Sequence, residues 1–324
     1  MRTINVIATS MSGSVKDWKK LDLLESTFKK YTTTKVNIFI VDTHQEARKK
    51  ANELVSKGAR IIVSAGGAGT FNSVLEGCRQ KKGFPPKLRL AFLRKGSADL
   101  IGKTLGMSDD LDECVQSICM SLKKDKIVLS DVIRCETNNQ QSHFIGFAGL
   151  GIFGIVPHFT ENRFIKNYKG ILGWFFGDRG PFFVGAQLAL LKYYMSRTLR
   201  RRNCSLSTGK KKFSPVRYAN IIILNGDLGK DFPLAKGIPL ESNSFKVVLF
   251  PNLGMINTYH QFSSSWKGKT DEMKKRGIHS VVTNKLIIEP DDKDETMINI
   301  DGLLLKGKGR IMFSVTDKVA LIKA

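Results

Sequence analysis

One stretch constrains this chain more than any other: Ile61-Ile62-Val63-Ser64-Ala65-Gly66-Gly67-Ala68-Gly69-Thr70-Phe71-Asn72-Ser73-Val74-Leu75-Glu76-Gly77. Its β-branched start suits a buried parallel strand, and Val74 and Leu75 sit in a segment that reads as a helix. Strand, small-residue turn, helix is the arrangement by which a fold offers free backbone N–H groups to a phosphate. Gly66, Gly67 and Gly69 let the backbone approach closely and take φ > 0 where needed. Thr70 adds a hydroxyl, and Asn72 can donate or accept in the first helical turn.

A glycine turn alone is common and needs no ligand. Here it has company. Ile4 to Ala8 read as a first strand running into Thr9-Ser10-Met11-Ser12-Gly13-Ser14, and Leu90 to Leu93 as another running into Arg94-Lys95-Gly96-Ser97-Ala98-Asp99. In an open α/β sheet such strand ends line one crevice, so three small polar loops there favour a nucleotide or phosphate site. No Gly-x-Gly-x-x-Gly fingerprint with an acidic residue beyond it is present, which argues against a nicotinamide dehydrogenase.

The alternation continues with a helix over Lys16–Tyr31 carrying Leu21, Leu24 and Phe28 on one face, and a strand over Val36–Val41. A helix capped by Asp42 or Thr43 comes next, with Glu46 in its first turn, followed by helices over 71–80, 98–105 and 111–123. Alternating strands and helices with short loops predict a parallel sheet covered on both faces. Near Lys126 the pattern changes. Ile127–Cys135, His143–Ala148, Tyr218–Leu224, Phe245–Phe250, Val281–Ile288 and Met297–Ile300 read as strands with few helices between them. The expectation is an α/β nucleotide-binding domain over residues 1–126, a β-rich substrate domain over 127–310, and a terminal strand over 311–324 returning toward the first domain. A length of 324 residues suits two domains.

The net charge of +23 attracts a polyanion, either nucleic acid or an anionic membrane surface. An apolar segment over Phe182–Tyr194 leads into Arg197, Arg200, Arg201 and Arg202, with Lys210 to Lys212 soon after and a second run over Lys267, Lys269, Lys274, Lys275 and Arg276. Such a helix fits a lipid interface, or equally a core helix followed by a solvated loop. No stretch approaches the length of a membrane span, and the first strand is too short for a signal-peptide core. The five cysteines match no zinc spacing and, being odd in number, no complete disulfide framework. A cytoplasmic, peripherally membrane-associated protein is expected, with a homodimer left open.

Gly66-Gly67-Ala68-Gly69-Thr70 followed by Asn72, together with Gly96-Ser97-Ala98-Asp99-Leu100-Ile101-Gly102-Lys103-Thr104-Leu105-Gly106, resembles the diacylglycerol kinase catalytic-domain family. That family includes bacterial lipid kinases and sphingosine and ceramide kinases, with NAD kinases as distant relatives. It has Gly-Gly-Asp-Gly-Thr where this chain has Ala68, and Gly-Thr-Ala-Asn-Asp in the third loop. The first loop keeps Ser12-Gly13 without the usual Asn-Pro ahead of it. The resemblance implies an α/β domain plus a β-sandwich domain, ATP and Mg²⁺ as cofactors, and a lipid substrate. It also implies nucleotide contacts from Ser12, Gly13, Gly66, Gly67, Ala68, Gly69, Thr70, Asn72, Gly96 and Ser97, with Thr43 near the adenine or ribose.

The family's catalytic Glu follows an Asp-Gly near the C-terminus, where this chain has Ile300-Asp301-Gly302-Leu303. Its lipid-contacting Asp corresponds to Phe153 in Gly149-Leu150-Gly151-Ile152-Phe153. Alanine and leucine cannot accept a proton. Asp301 is therefore ranked first as a replacement base and Asp99 first as the acid of the phosphate or metal site. Glu241, in Pro239-Leu240-Glu241-Ser242-Asn243, matches the family's acidic metal loop in part. Asp301 also has a plainer reading, a turn before Gly302. The favoured function is ATP-dependent phosphorylation of a lipid hydroxyl on a diacylglycerol- or sphingoid-like acceptor. The rivals are a degenerate nucleotide- or lipid-binding protein, a kinase of a soluble hydroxyl compound, and a nucleic-acid binder, which only the charge supports and which is disfavoured.

Overall fold

The structure is a computed structural model that describes residues 3–10, 15–94, 100–160, 180–196, 199, 203–209, 212–230, 232–268, 270–291 and 294–324. It divides into two compact units. The first is Met1–Ser130 with Asp317–Ala324, and the second is Asp131–Thr316.

In the first unit, β1 (Ile4–Thr9), β2 (Val36–Val41), β3 (Ile61–Gly66) and β4 (Arg89–Arg94) alternate with α1 (Val15–Tyr31), α2 (His44–Ser56) and α3 (Ala68–Cys78). Two further helices, α4 (Leu100–Thr104) and α5 (Leu111–Lys124), follow β4. The strands lie parallel in the order β2-β1-β3-β4, with the C-terminal end of the last strand of the chain added beside β4 through Ala320 and Leu321. Continuous β-branched runs suit strands covered on both faces, and all six residues of β1 and of β3 are buried. The α1 expectation holds: Leu24 and Phe28 are buried and Leu21 half-buried. Helices α2 and α3 pack closely because α3 has no side chain at Gly77, where a Cβ would lie 2.1 Å from the Arg48 carbonyl oxygen.

The glycine loop differs from expectation in one respect. Helix α3 begins at Ala68 rather than near residue 71, so Ala68, Gly69 and Thr70 form its first turn. None of Gly66, Gly67 and Gly69 is among the residues with positive φ. What Gly66 supplies is room, since a Cβ there would sit 2.6 Å from Thr70 Oγ1.

The second unit is built on antiparallel sheets. One has the order β12 (His279–Thr283), β11 (Phe245–Pro251), β10 (Tyr218–Leu224), β7 (Phe147–Gly151), β14 (Thr296–Ile300) and β15 (Leu303–Gly307). The other joins β16 (Ile311–Ile322) to β13 (Lys285–Pro290), β8 (Cys204–Thr208) and β9 (Lys212–Val216), while β5 (Ile127–Glu136) pairs with β16 and β6 (Gln141–Phe144). Ile133, Phe144, Leu206, Ile223, Val247, Leu286, Ile298 and Phe313 share the core cluster. Helices α6 (Ile152–Thr160) and α7 (Gly180–Met195) pack together through Ile155, Val156, Ala189, Leu190 and Tyr193, beside α8 (Met255–Trp266) and α9 (Thr270–Lys275).

Two strand expectations need correcting. Val281–Ile288 is two strands, β12 and β13, which part at Asn284 and belong to different sheets. His143–Ala148 is also two strands, separated at Ile145 and Gly146. The terminal strand expected over 311–324 is present as β16. Among the described residues no helix is long and apolar enough to cross a membrane.

Candidate functional site

In the first unit the strand order 2-1-3-4 reverses direction between β1 and β3, the switch point at which open α/β sheets bind ligands beyond their carboxyl ends. β1 ends in Thr9, and β3 ends in Gly66 just ahead of Thr70 in the first turn of α3. Thr9 Oγ1 and Thr70 Oγ1 share a buried hydrogen bond of 3.1 Å, which fastens the end of β1 to the first turn of α3. Ser73 Oγ donates to the Gly69 carbonyl at 2.9 Å.

Helices α2, α3 and α5 of this unit contrast at their starts. Thr43 Oγ1 accepts from the Glu46 amide at 3.1 Å to cap α2, and Asp110 Oδ1 accepts from the Glu113 amide at 2.9 Å to cap α5. Helix α3 starts at Gly67 with no side-chain cap. A helix leaves its first-turn amides without internal partners. Here those amides belong to Ala68, Gly69 and Thr70, beside half-buried glycines. This donor set fits a phosphate group: a positive helix end, open amides and no bulky side chain.

Other expected nucleotide residues fall in different places. Thr43 caps α2 and is exposed. Asn72 lies in the second turn of α3, 1% exposed, so it packs inside the unit rather than at the helix start. Ser12, Gly13, Gly96, Ser97 and Asp99 lie outside the described residues. Two polar groups at the strand ends were not singled out from sequence. Ser10 Oγ donates to Asp42 Oδ1 at 2.6 Å, placing a carboxylate beyond β1 and β2. Arg94, 7% exposed and in register with Gly66, donates through Nη1 to the Met107 carbonyl at 3.0 Å. The signal for both was their position at strand ends in the same crevice.

Asp301 is not placed as a base. Its carboxylate is fully buried: Oδ1 accepts from the Phe147 amide at 2.7 Å, and Oδ2 from the Ile145 and Gly146 amides at 3.2 and 3.3 Å. Its own amide donates to the Phe147 carbonyl at 3.0 Å. Asp301 thus clamps the turn between β6 and β7 from the turn between β14 and β15, with φ +46 followed by Gly302 at +87. The plainer reading of the Asp-Gly pair as a turn is the one the geometry supports, with an anchoring task added. Leu303 is half-buried.

Glu241 is exposed, in a turn held by Asp131, whose Oδ2 accepts from the Asn243 amide at 2.5 Å. Among the described residues there is no group of three or more histidine, cysteine or carboxylate side chains that could hold a metal. Among the described residues Glu241 is therefore in no such group.

Within the second unit lies a cavity of about 340 Å³, walled by α6, α7, α8, strand residues Ile222 and Phe250, and the Phe232–Leu234 segment. Phe153, at the position where the resemblance puts a head-group acid, lines it and stacks on Phe232 with centroids 5.7 Å apart. Trp266 meets Phe232 edge-on at 6.1 Å. The walls are almost wholly apolar, so the ligand they suit is hydrocarbon.

The model of the diacylglycerol kinase catalytic domain matches residues 3–130. No curated protein matches the sequence. Among solved structures, the chain is similar over its whole length to one titled "Crystal structure of a putative diacylglycerol kinase from Bacillus anthracis str. Sterne", at 14% identity and a TM-score of 0.70, covering 96% of that chain. It is likewise similar to a second structure, titled as a diacylglycerol kinase from the same organism, at 13% identity and a TM-score of 0.63, covering 97% of that chain. At these identities the likeness establishes the fold, an α/β unit with a parallel sheet followed by an antiparallel β-rich unit. Residues 3–130 are therefore similar to the diacylglycerol kinase catalytic domain, and the chain as a whole shares the fold of those solved structures, an α/β unit followed by a β-rich unit.

Proposed function

We propose that the protein transfers the γ-phosphoryl group of ATP to the hydroxyl of a lipid, diacylglycerol- or sphingoid-like in type. The observation that carries this reading is the uncapped start of α3 at the β1/β3 switch point, within residues that match the kinase domain. The amides of Ala68, Gly69 and Thr70 hold the phosphates, and the Thr9–Thr70 hydrogen bond keeps that turn in place. The acceptor oxygen attacks the γ-phosphorus, the bond to the ADP oxygen breaks, and the acceptor proton passes to water or to a carboxylate. Positioning and charge stabilisation supply most of the catalysis in such transfers. Mg²⁺ accompanying the triphosphate would neutralise part of its charge, with Asp99 the residue of this chain that would help to hold it. In this reading Ser12, Gly13, Gly96 and Ser97 complete the phosphate site and Asp99 is its acid. The apolar cavity takes the hydrocarbon of the acceptor.

Ala68, Leu303 and the fully engaged carboxylate of Asp301 favour a second reading, a module that binds nucleotide and lipid without turnover. The two separate on incubating the protein with γ-labelled ATP, Mg²⁺ and a total lipid extract. A labelled lipid product supports the kinase. Retained ATP binding with no labelled lipid supports the binding module and refutes the kinase.

A further inference from the structure

The cavity of the second unit has a rim as well as walls. Tyr259 and Trp266 line it and are at the same time 48% and 41% exposed, so they stand at its mouth, and exposed Lys267 lines it beside them. Tyr259, Phe262 and Trp266 follow Met255 at helical spacing on α8, so a single stripe runs from solvent into the cavity. Leu253, Met255 and Ile256 at the start of this helix are 51%, 47% and 70% exposed.

Helix α7 carries a second stripe. Leu188, Leu191 and Met195 are 36%, 50% and 77% exposed, while Ala189, Leu190 and Tyr193 face the core. The Tyr194 hydroxyl ties the helices together, 2.9 Å from Asn252 Oδ1 and 2.7 Å from Thr258 Oγ1. Of the fourteen exposed large apolar side chains among the described residues, eight lie on these two helices and the approach to α8. They form a concentration rather than the scatter of an ordinary surface.

Basic residues outnumber acidic ones in the sequence around them, with Asp271 and Glu272 the acidic members of α9. The sequence has no acidic residue between Asp178 and Asp227 or between Glu241 and Asp271. Arg276 Nε donates to Ser264 Oγ at 3.0 Å, which holds the end of α9 against α8, with Lys274 and Lys275 exposed. Apolar side chains at the crest, tyrosine and tryptophan at the rim and lysines behind them are the distribution that suits a bilayer interface. A protein partner would more often bring polar pairing across the patch.

We propose that the α7–α8 face docks on the surface of an anionic bilayer, with the cavity mouth toward the membrane. Ile256, Met255 and Met195 enter the boundary between head groups and acyl chains. Tyr259 and Trp266 lie at head-group level, and Lys267, Lys274 and Lys275 meet the anionic lipids. The proposal deepens the lipid-kinase reading and rests on it for the lipid that enters the cavity.

The test is sedimentation with vesicles of phosphatidylcholine, with and without phosphatidylglycerol, in the absence of ATP. Wild type binds the anionic vesicles, and salt weakens the binding. Ile256→Asp lowers affinity about tenfold or more, because a charge replaces an inserted side chain. Lys274→Ala and Lys275→Ala lower it roughly fivefold each. Leu23→Asp, an exposed apolar position of the first unit, leaves it unchanged. Equal binding to neutral and anionic vesicles, wild-type binding by Ile256→Asp, or a stable dimer that Ile256→Asp dissociates would each overturn the proposal. A protein that docks but gives no labelled lipid keeps this face and loses the kinase reading. One that phosphorylates lipid in detergent but ignores vesicles does the reverse.

Discussion

Replacing Asp301 by asparagine separates an anchoring carboxylate from a catalytic one. Asparagine tolerates the left-handed backbone at φ +46 about as well as aspartate, so conformation is not the variable. The amide oxygen can keep the bond from the Phe147 amide. The new NH₂ group then faces the Ile145 and Gly146 amides, two donors that lose their acceptor in a fully buried site. Buried donors left without a partner cost about 1–3 kcal/mol each, so Asp301→Asn should destabilise the second unit by about 2–6 kcal/mol. For a unit of this length each kcal/mol lowers the melting temperature by about 2–4 °C, giving a drop of about 4–24 °C. Urea unfolding followed by circular dichroism should show a lower midpoint with an unchanged slope. A wild-type midpoint combined with loss of lipid phosphorylation would refute the anchoring account and restore Asp301 as a base.

Gly77→Ala should destabilise the α2–α3 contact by about 1–3 kcal/mol through overpacking, because the new Cβ meets the Arg48 carbonyl at 2.1 Å and Ala51 Cβ at 2.7 Å; urea midpoints test this. All five cysteines are buried, and burial pushes the Cys78 and Cys135 thiols well above the ordinary range and Cys119 up to about 11. A thiol reagent near pH 8 should therefore leave the native protein largely unlabelled and modify all five only after denaturation, and fast native labelling would contradict this packing. Hydrogen bonds from Lys50 and Lys57 pull Glu53 down to about 2. Because its folded value is depressed, its contribution to stability is complete above the unfolded value of about 4.3 and is lost as pH falls toward 2. An NMR titration at low salt should find that low midpoint in wild type and a higher one in Lys50→Ala.

The parallel half was readable because its strands are continuous apolar runs, buried from end to end in β1 and β3. The start of α3 was not, because glycine is a poor helix former and the glycine loop is also the helix's first turn. Val281–Ile288 reads as one apolar run, yet at Asn284 the chain passes from one sheet to another, and local pattern carries no mark of that. Strands β8 and β9 lie in polar or basic stretches, and β15 is a short leucine run with no alternation to mark it. The task of Asp301 depends on amides about 150 residues away along the chain, and only the fold brings them together. The cavity, walled by residues from Ile152 to Lys267, is hidden from sequence for the same reason.

Calorimetric titration of ATP with Mg²⁺ into wild type and Gly69→Val tests most directly whether the first turn of α3 holds the nucleotide. Wild type should bind. A Gly69→Val protein that is folded by circular dichroism should bind about tenfold or more weakly, the loss of at least one charge-assisted hydrogen bond between backbone and phosphate. Unchanged affinity in folded Gly69→Val, or no binding by wild type, would contradict the account.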